Sequence, residues 1–103
     1  MGRDESKIQA DILAYLKGRG DTYAVNVCGG ASTAKGTPDL LVCHRGRFIA
    51  FEVKRPDSSY GLTKPQEMRI AAIEKAGGVA EVVTSIGDVV VALLREESYG
   101  NES

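Results

Sequence analysis

GTPDLLVCHRGRFIAFEVKRP, residues 36–56, holds two apolar runs on either side of Arg45-Gly46, and the second run carries Glu52, with Lys54 two residues on. A charge buried in a core-forming strand costs several kcal/mol unless something pairs with it. Arg45-Gly46 suits the two central positions of a tight hairpin turn, glycine supplying positive φ. With that turn His44 faces Arg47, Cys43 faces Phe48, and Asp39 faces Glu52. Alternation places Glu52 and Lys54 on one sheet face with Phe48 and Ala50, and Ile49, Phe51 and Val53 on the other. Directly opposed side chains lie roughly 4.5–5.5 Å apart at Cβ, where like charges repel. A divalent metal between the two carboxylates relieves that repulsion, and hard oxygen ligands suit Mg²⁺ or Mn²⁺. Lys54 adds a positive charge on the same face, and the set together asks for a phosphate.

Outward from this hairpin the chain alternates helix and strand. Residues 4–18 read as a helix, with Ile8, Ile12, Tyr15 and Leu16 at helical spacing and Gly18 and Gly20 as its stop. Glu5 stands three residues before Ile8 and seven before Ile12, so it shares that apolar stripe and calls for a cation. YAVNVC, residues 23–28, alternates as a strand and runs into GGASTAKG. After RPDSSYGLTK, Pro65 opens a helix to Ala76, closed by Gly77-Gly78. Gln66, four before Ile70 and seven before Ile73, turns an amide to the core side, where it can orient water, a carboxylate or a phosphate. VAEVV is a further strand, and SIGDVVVALLREE a last helix capped by Ser85. The predicted order is αβββαβα: one domain over residues 1–95, then a polar, flexible tail over 96–103.

At 103 residues the chain supports one core without a staple. No apolar run approaches the roughly 20 residues of a membrane span, and MGRDESKIQ has no apolar export segment. The reading is a cytoplasmic protein whose Cys28 and Cys43 stay reduced. Cys28, Cys43 and His44 are too few and badly spaced for structural zinc. His44, at the hairpin tip, reads as exposed. GGASTAKGT has Lys35 before Gly36, so the phosphate-loop order GxxxxGK[ST] is not met and no nucleotide cofactor is expected. Net charge is −1, but residues 35–69 hold seven Lys/Arg against four Asp/Glu, whereas residues 70–103 hold two against six. Lys35, Arg55, Lys64 and Arg69 flank the proposed site as candidate phosphate contacts.

With GTPD, FEVKRP, Glu5 and Gln66 in place, the chain resembles the virus-type replication-repair nuclease domain, VRR-NUC, of the PD-(D/E)xK nuclease superfamily. The likeness includes the entry helix ESKIQADILAYLK, the run LTKPQ and the segment AGGVAEVVTSIGDV. It implies the restriction-endonuclease-like fold, a mixed central sheet flanked by helices. It also implies a metal held by Asp39, Glu52 and the main-chain carbonyl of Val53, with Glu5 assisting from the first helix. Lys54 would be the catalytic lysine, and Gln66 would match the family's glutamine after the ExK strand. Short standalone members look like Holliday junction resolvases of phage or bacteria, which implies a homodimer hydrolysing branched DNA and leaving 5′-phosphate and 3′-hydroxyl ends. Two alternatives stand beside this: a non-catalytic nucleic-acid-binding module on the same fold, and a restriction-type endonuclease.

Overall fold

The computed structural model describes residues 5–27, 35–57 and 61–100, with the side chains of 99 and 100 left aside. Cys28, most of GGASTAKG and the end of the tail, residues 101–103, lie outside the described residues. Seven elements follow in order: α1 (Glu5–Lys17), β1 (Thr22–Asn26), β2 (Leu40–His44), β3 (Arg47–Val53), α2 (Lys64–Lys75), β4 (Val79–Val83) and α3 (Ile86–Gly100). They form one four-stranded sheet of order β1-β2-β3-β4, antiparallel except for the parallel pair β3 and β4. That parallel pair requires a crossover, which α2 supplies.

The hairpin register matches the sequence reading. His44 pairs with Arg47, Cys43 with Phe48, and so on to Leu40 with Phe51. Arg45 and Gly46 both have positive φ, 51° and 85°, the signature of a type I′ turn. One further step of this register brings Asp39 opposite Glu52.

Alternation decides which sheet face is dry. Ala24, Leu40, Val42, Ile49, Phe51, Val53 and Val83 meet Ile8, Ile12 and Leu16 of α1 and Val89, Ala92 and Leu93 of α3. Each fully buried Leu, Ile or Phe here contributes about 1.5–3 kcal/mol relative to exposure. The opposite face carries α2, none of whose residues is buried. Its N-terminus is closed by a capping box: Gln66 N donates to Thr63 Oγ1 at 3.2 Å, and Thr63 N donates to Gln66 Oε1 at 2.9 Å. Ser85 caps α3 as expected, accepting from Asp88 N.

Two expectations are corrected at the other end of the sheet. His44 is not exposed but 1% accessible, because it shares the core side of β2 with Leu40 and Val42. Nor does a free tail begin at Glu96, since α3 continues to Gly100. Glu96 is buried against Arg47, 3.0 Å from its guanidinium, and Glu97 accepts from His44 Nε2 at 2.7 Å. His44 Nδ1 lies 2.7 Å from Thr22 Oγ1, which donates to Asp21. Hydrogen bonds from Arg45 and then Arg19 hold the Asp21 carboxyl well below the usual carboxylate range. This network clips α3 to the hairpin tip and to the turn after α1. His44→Ala should therefore cost about 2–4 kcal/mol, through a cavity and lost hydrogen bonds. Thermal unfolding should show a fall in midpoint of more than about 10 °C. Cys43→Ala, on the exposed face next door, should stay within about 0.5 kcal/mol of the parent.

Candidate active site

Three strand ends converge where β2 begins. Asp39, just ahead of β2, accepts from Val27 N through its main-chain carbonyl at 2.8 Å. Its side-chain Oδ2 accepts from Val53 N, also at 2.8 Å. Pro38, buried before it, has no N–H to offer a neighbouring strand, and the Asp39 carboxylate serves Val53 N as acceptor in place of a main-chain carbonyl. The Asp39 carboxyl is thereby held beside the end of β3, within hydrogen-bonding reach of the Glu52 carboxyl.

Glu52 is 5% exposed. Burial first, and then the negative charge of Asp39, push its carboxyl up to about 8; Lys54 opposes this, and Glu5 adds to it. The raised value means that burial together with a second acid outweighs the one ammonium beside Glu52. Lys54 Nζ stands 3.9 Å from Glu52 Oε2 and 3.4 Å from Gln66 Oε1. Gln66 Nε2 donates to Glu52 Oε2 at 3.1 Å. Lys54 is fixed at its main chain as well, donating to Val83 O at 2.9 Å. A carboxylate pair short of positive charge, beside a main-chain carbonyl at Val53, is a donor set that fits a hard divalent cation.

The other residues expected at the site divide. Glu5 opens α1 and is exposed instead of sharing the buried stripe, although its charge bears on Glu52. Gln66 is half-buried and touches both Glu52 and Lys54. Lys35, Arg55, Lys64 and Arg69 are all exposed. Arg55 pairs loosely with Asp57 at 3.7 Å, and Arg69 Nε is bound to the main-chain carbonyl of Lys35 at 3.1 Å.

A second group of possible ligands, Asp21, His44 and Glu97, was not foreseen from sequence. It lies at the far end of β2, roughly 17 Å from Asp39 at the usual rise per residue. Its acids are engaged by guanidinium groups: Arg45 and Arg19 on Asp21, with the same two arginines within 3.6 Å of Glu97. Guanidinium groups already occupy the place of a metal there.

Two solved structures share this arrangement of elements. One, named "VRR_NUC domain protein", superposes with a TM-score of 0.72 at 22% sequence identity, over 91% of this chain and 88% of that one. The other, named "VRR_NUC domain", has a TM-score of 0.64 at 24% identity, over 82% of this chain and 88% of that one. The chain has the fold of a VRR-NUC domain. It is a small α/β domain with a mixed four-stranded sheet and three helices, consistent with the restriction-endonuclease-like class. No protein-family model matches the sequence, and no curated protein matches it. In this chain Asp39 stands just ahead of β2, beside Glu52-Val53-Lys54 at the end of β3. No helix among the described residues is long and apolar enough to cross a membrane.

Proposed function

We propose that this VRR-NUC-fold protein is a metal-dependent DNA endonuclease, selective for branched DNA and acting as a homodimer in replication or repair. The observation that carries the reading is the Asp39–Glu52 carboxyl pair, with Lys54 and Gln66 on Glu52 and too little positive charge to balance the two acids. A pure binding module gains nothing from clustered acids that repel phosphate. Asp39, Glu52 and the Val53 carbonyl would hold Mg²⁺ or Mn²⁺, with Glu5 near enough to assist. When bound, such an ion would supply Lewis-acid activation of water and offset charge on the phosphoryl group. Lys54 orients the attacking water and stabilises negative charge as it develops on the phosphoryl oxygens. Gln66 holds one Glu52 oxygen in place. Lys35, Arg55, Lys64 and Arg69 bind flanking phosphates and set the strand's position without reading its sequence.

The case for branch selectivity rests on charge and symmetry. A net charge of −1 gives weak affinity for plain duplex, because non-specific binding scales with phosphates neutralised. A two-fold dimer doubles the basic surface and presents two sites, as paired incisions across a junction require. Four-way junction, flap, single-strand and duplex DNA of one sequence should be compared with Mg²⁺ and with Mn²⁺. The junction should be cut fastest, a cruciform plasmid should be linearised by two near-simultaneous cuts, and sedimentation should show a dimer. A monomer that only nicks, or that degrades linear duplex as readily, overturns the junction reading while leaving the nuclease reading intact.

A further inference from the structure

α2 contributes Gln66 to the site, yet it has no buried residue to hold it there. Core packing therefore does not fix the helix, and something else must place its first turn. Its far end rests on the sheet through the Gly78 approach to Phe48 and Ile73. Its near end rests on the loop before Asp39. Gly36 has φ +84°, and a side chain there would overlap the Pro65 carbonyl and come within 2.7 Å of Gln66 N. These are backbone atoms of the helix's first turn, so only glycine permits the approach. One turn further on, Arg69 Nε reaches back to the carbonyl of Lys35 at 3.1 Å and closes the clasp.

The clasp sets more than the position of a helix. With Thr63 N donating to Gln66 Oε1, the amide oxygen is turned to the cap and the amino group must point away, to Glu52 Oε2. The same oxygen also accepts from Lys54 Nζ. An amide whose two ends are both engaged cannot flip, provided that the first turn of α2 stays on its seat. We infer that Gly36 and Arg69 are positioning residues, which hold the first turn of α2 on the loop before Asp39 and so present the Gln66 amino group to Glu52. For catalysis this rests on the metal-dependent nuclease reading above; for structure it stands apart from it.

Gly46 offers a matched control. Its φ is +85°, and a side chain there would meet nothing within 4 Å. Gly46→Ala and Gly36→Ala thus impose the same backbone strain, but only the second pushes α2 away. In DNA-free, metal-free protein labelled with ¹⁵N, the Gln66 side-chain amide pair, assigned by its loss in Gln66→Ala, is expected apart from free side-chain amides. Gly36→Ala should move it to the free position, Arg69→Met should move it the same way without backbone strain, and Gly46→Ala should leave it in place. By calorimetry, Mn²⁺ should bind Gly36→Ala several-fold more weakly than Gly46→Ala. Cleavage by Gly36→Ala should lose more than about tenfold in kcat with a smaller change in KM. Arg69→Met carries the test should Gly36→Ala fail to fold. Gln66 signals unmoved in every variant of the seat, or moved as far by Gly46→Ala, overturn the inference. A parent protein without metal-dependent cleavage, whose Gln66 signals still respond to the seat, counts instead against the nuclease reading.

Discussion

Glu52→Gln is expected to give a protein that is more stable than its parent at neutral pH without metal, and that no longer cleaves DNA. The sign follows from the direction of the shift. The Glu52 carboxyl titrates near 8 in the folded state, against an ordinary value of 4.5. Between those values the folded chain keeps a proton that the unfolded chain has released. Stability therefore falls as pH rises through this window and levels off above it. Glutamine cannot ionise, so the variant lacks that slope. It should exceed the parent by on the order of 1–3 kcal/mol at pH 7–8 and approach it below pH 4.5. Added Mn²⁺ should reverse the order, since a cation that binds only the folded parent stabilises it by mass action. Cleavage should drop by at least about 10³-fold, roughly 4 kcal/mol of barrier. Denaturant unfolding from pH 4 to 9, with and without Mn²⁺, measures this directly. Parallel pH curves, or equal stabilisation of both proteins by Mn²⁺, would remove Glu52 from the metal site.

The hairpin was legible in sequence because two independent signals agree on it. Arg45-Gly46 sets the register, and alternation assigns each residue a face; together they place Asp39, Glu52 and Lys54 without tertiary information. The same alternation puts His44 on the side of Leu40 and Val42, so its burial was also written in the pattern. Its place beside a turn suggests exposure, but its parity on the strand decides. Local pattern cannot reveal Glu97, 53 residues away, whose carboxylate makes a buried imidazole tolerable. The end of α3 was missed for a related reason. EESYG looks like a solvated tail, but Arg47 and His44 hold its two acids, and these partners lie on another element.

Glu5 shows the limit of helical spacing. Residues at i, i+3 and i+7 do share a face, yet Glu5, in the first turn of α1, stays exposed while Ile8 is buried. Gln66 shows the opposite. In the structure Thr63 and Gln66 form a capping box, a purely local motif, and the same amide serves Glu52. The site thus borrows the stereochemistry of a helix cap to orient a functional group, and this double use becomes visible only when α2 is seated beside β3.

Lys54→Met should separate binding from chemistry. Lys54 is 17% exposed, pinned through its main chain to Val83, and 3.9 Å from Glu52, so its ammonium is held beside the carboxyl pair instead of sweeping the surface. A lysine there can balance Glu52, or it can act on the water and phosphate; methionine keeps the length of the stem and removes both. The two roles differ in sign for metal affinity. Losing only a balancing cation removes a positive charge that repels the metal, so Mn²⁺ should bind at least as tightly as in the parent. Losing the group that stabilises charge in the transition state should lower single-turnover cleavage by about 10²–10⁴-fold with DNA bound at saturation. Lys54→Arg restores the charge in a planar, bulkier group that cannot occupy the same point, and it should recover stability without recovering rate. Calorimetry with Mn²⁺, DNA binding in Ca²⁺, and single-turnover cleavage in Mg²⁺ measure the three quantities separately. A Met variant that cleaves within tenfold of the parent, with metal affinity raised, would leave Lys54 as a counter-charge for Glu52 and move the chemistry to the metal and its water alone.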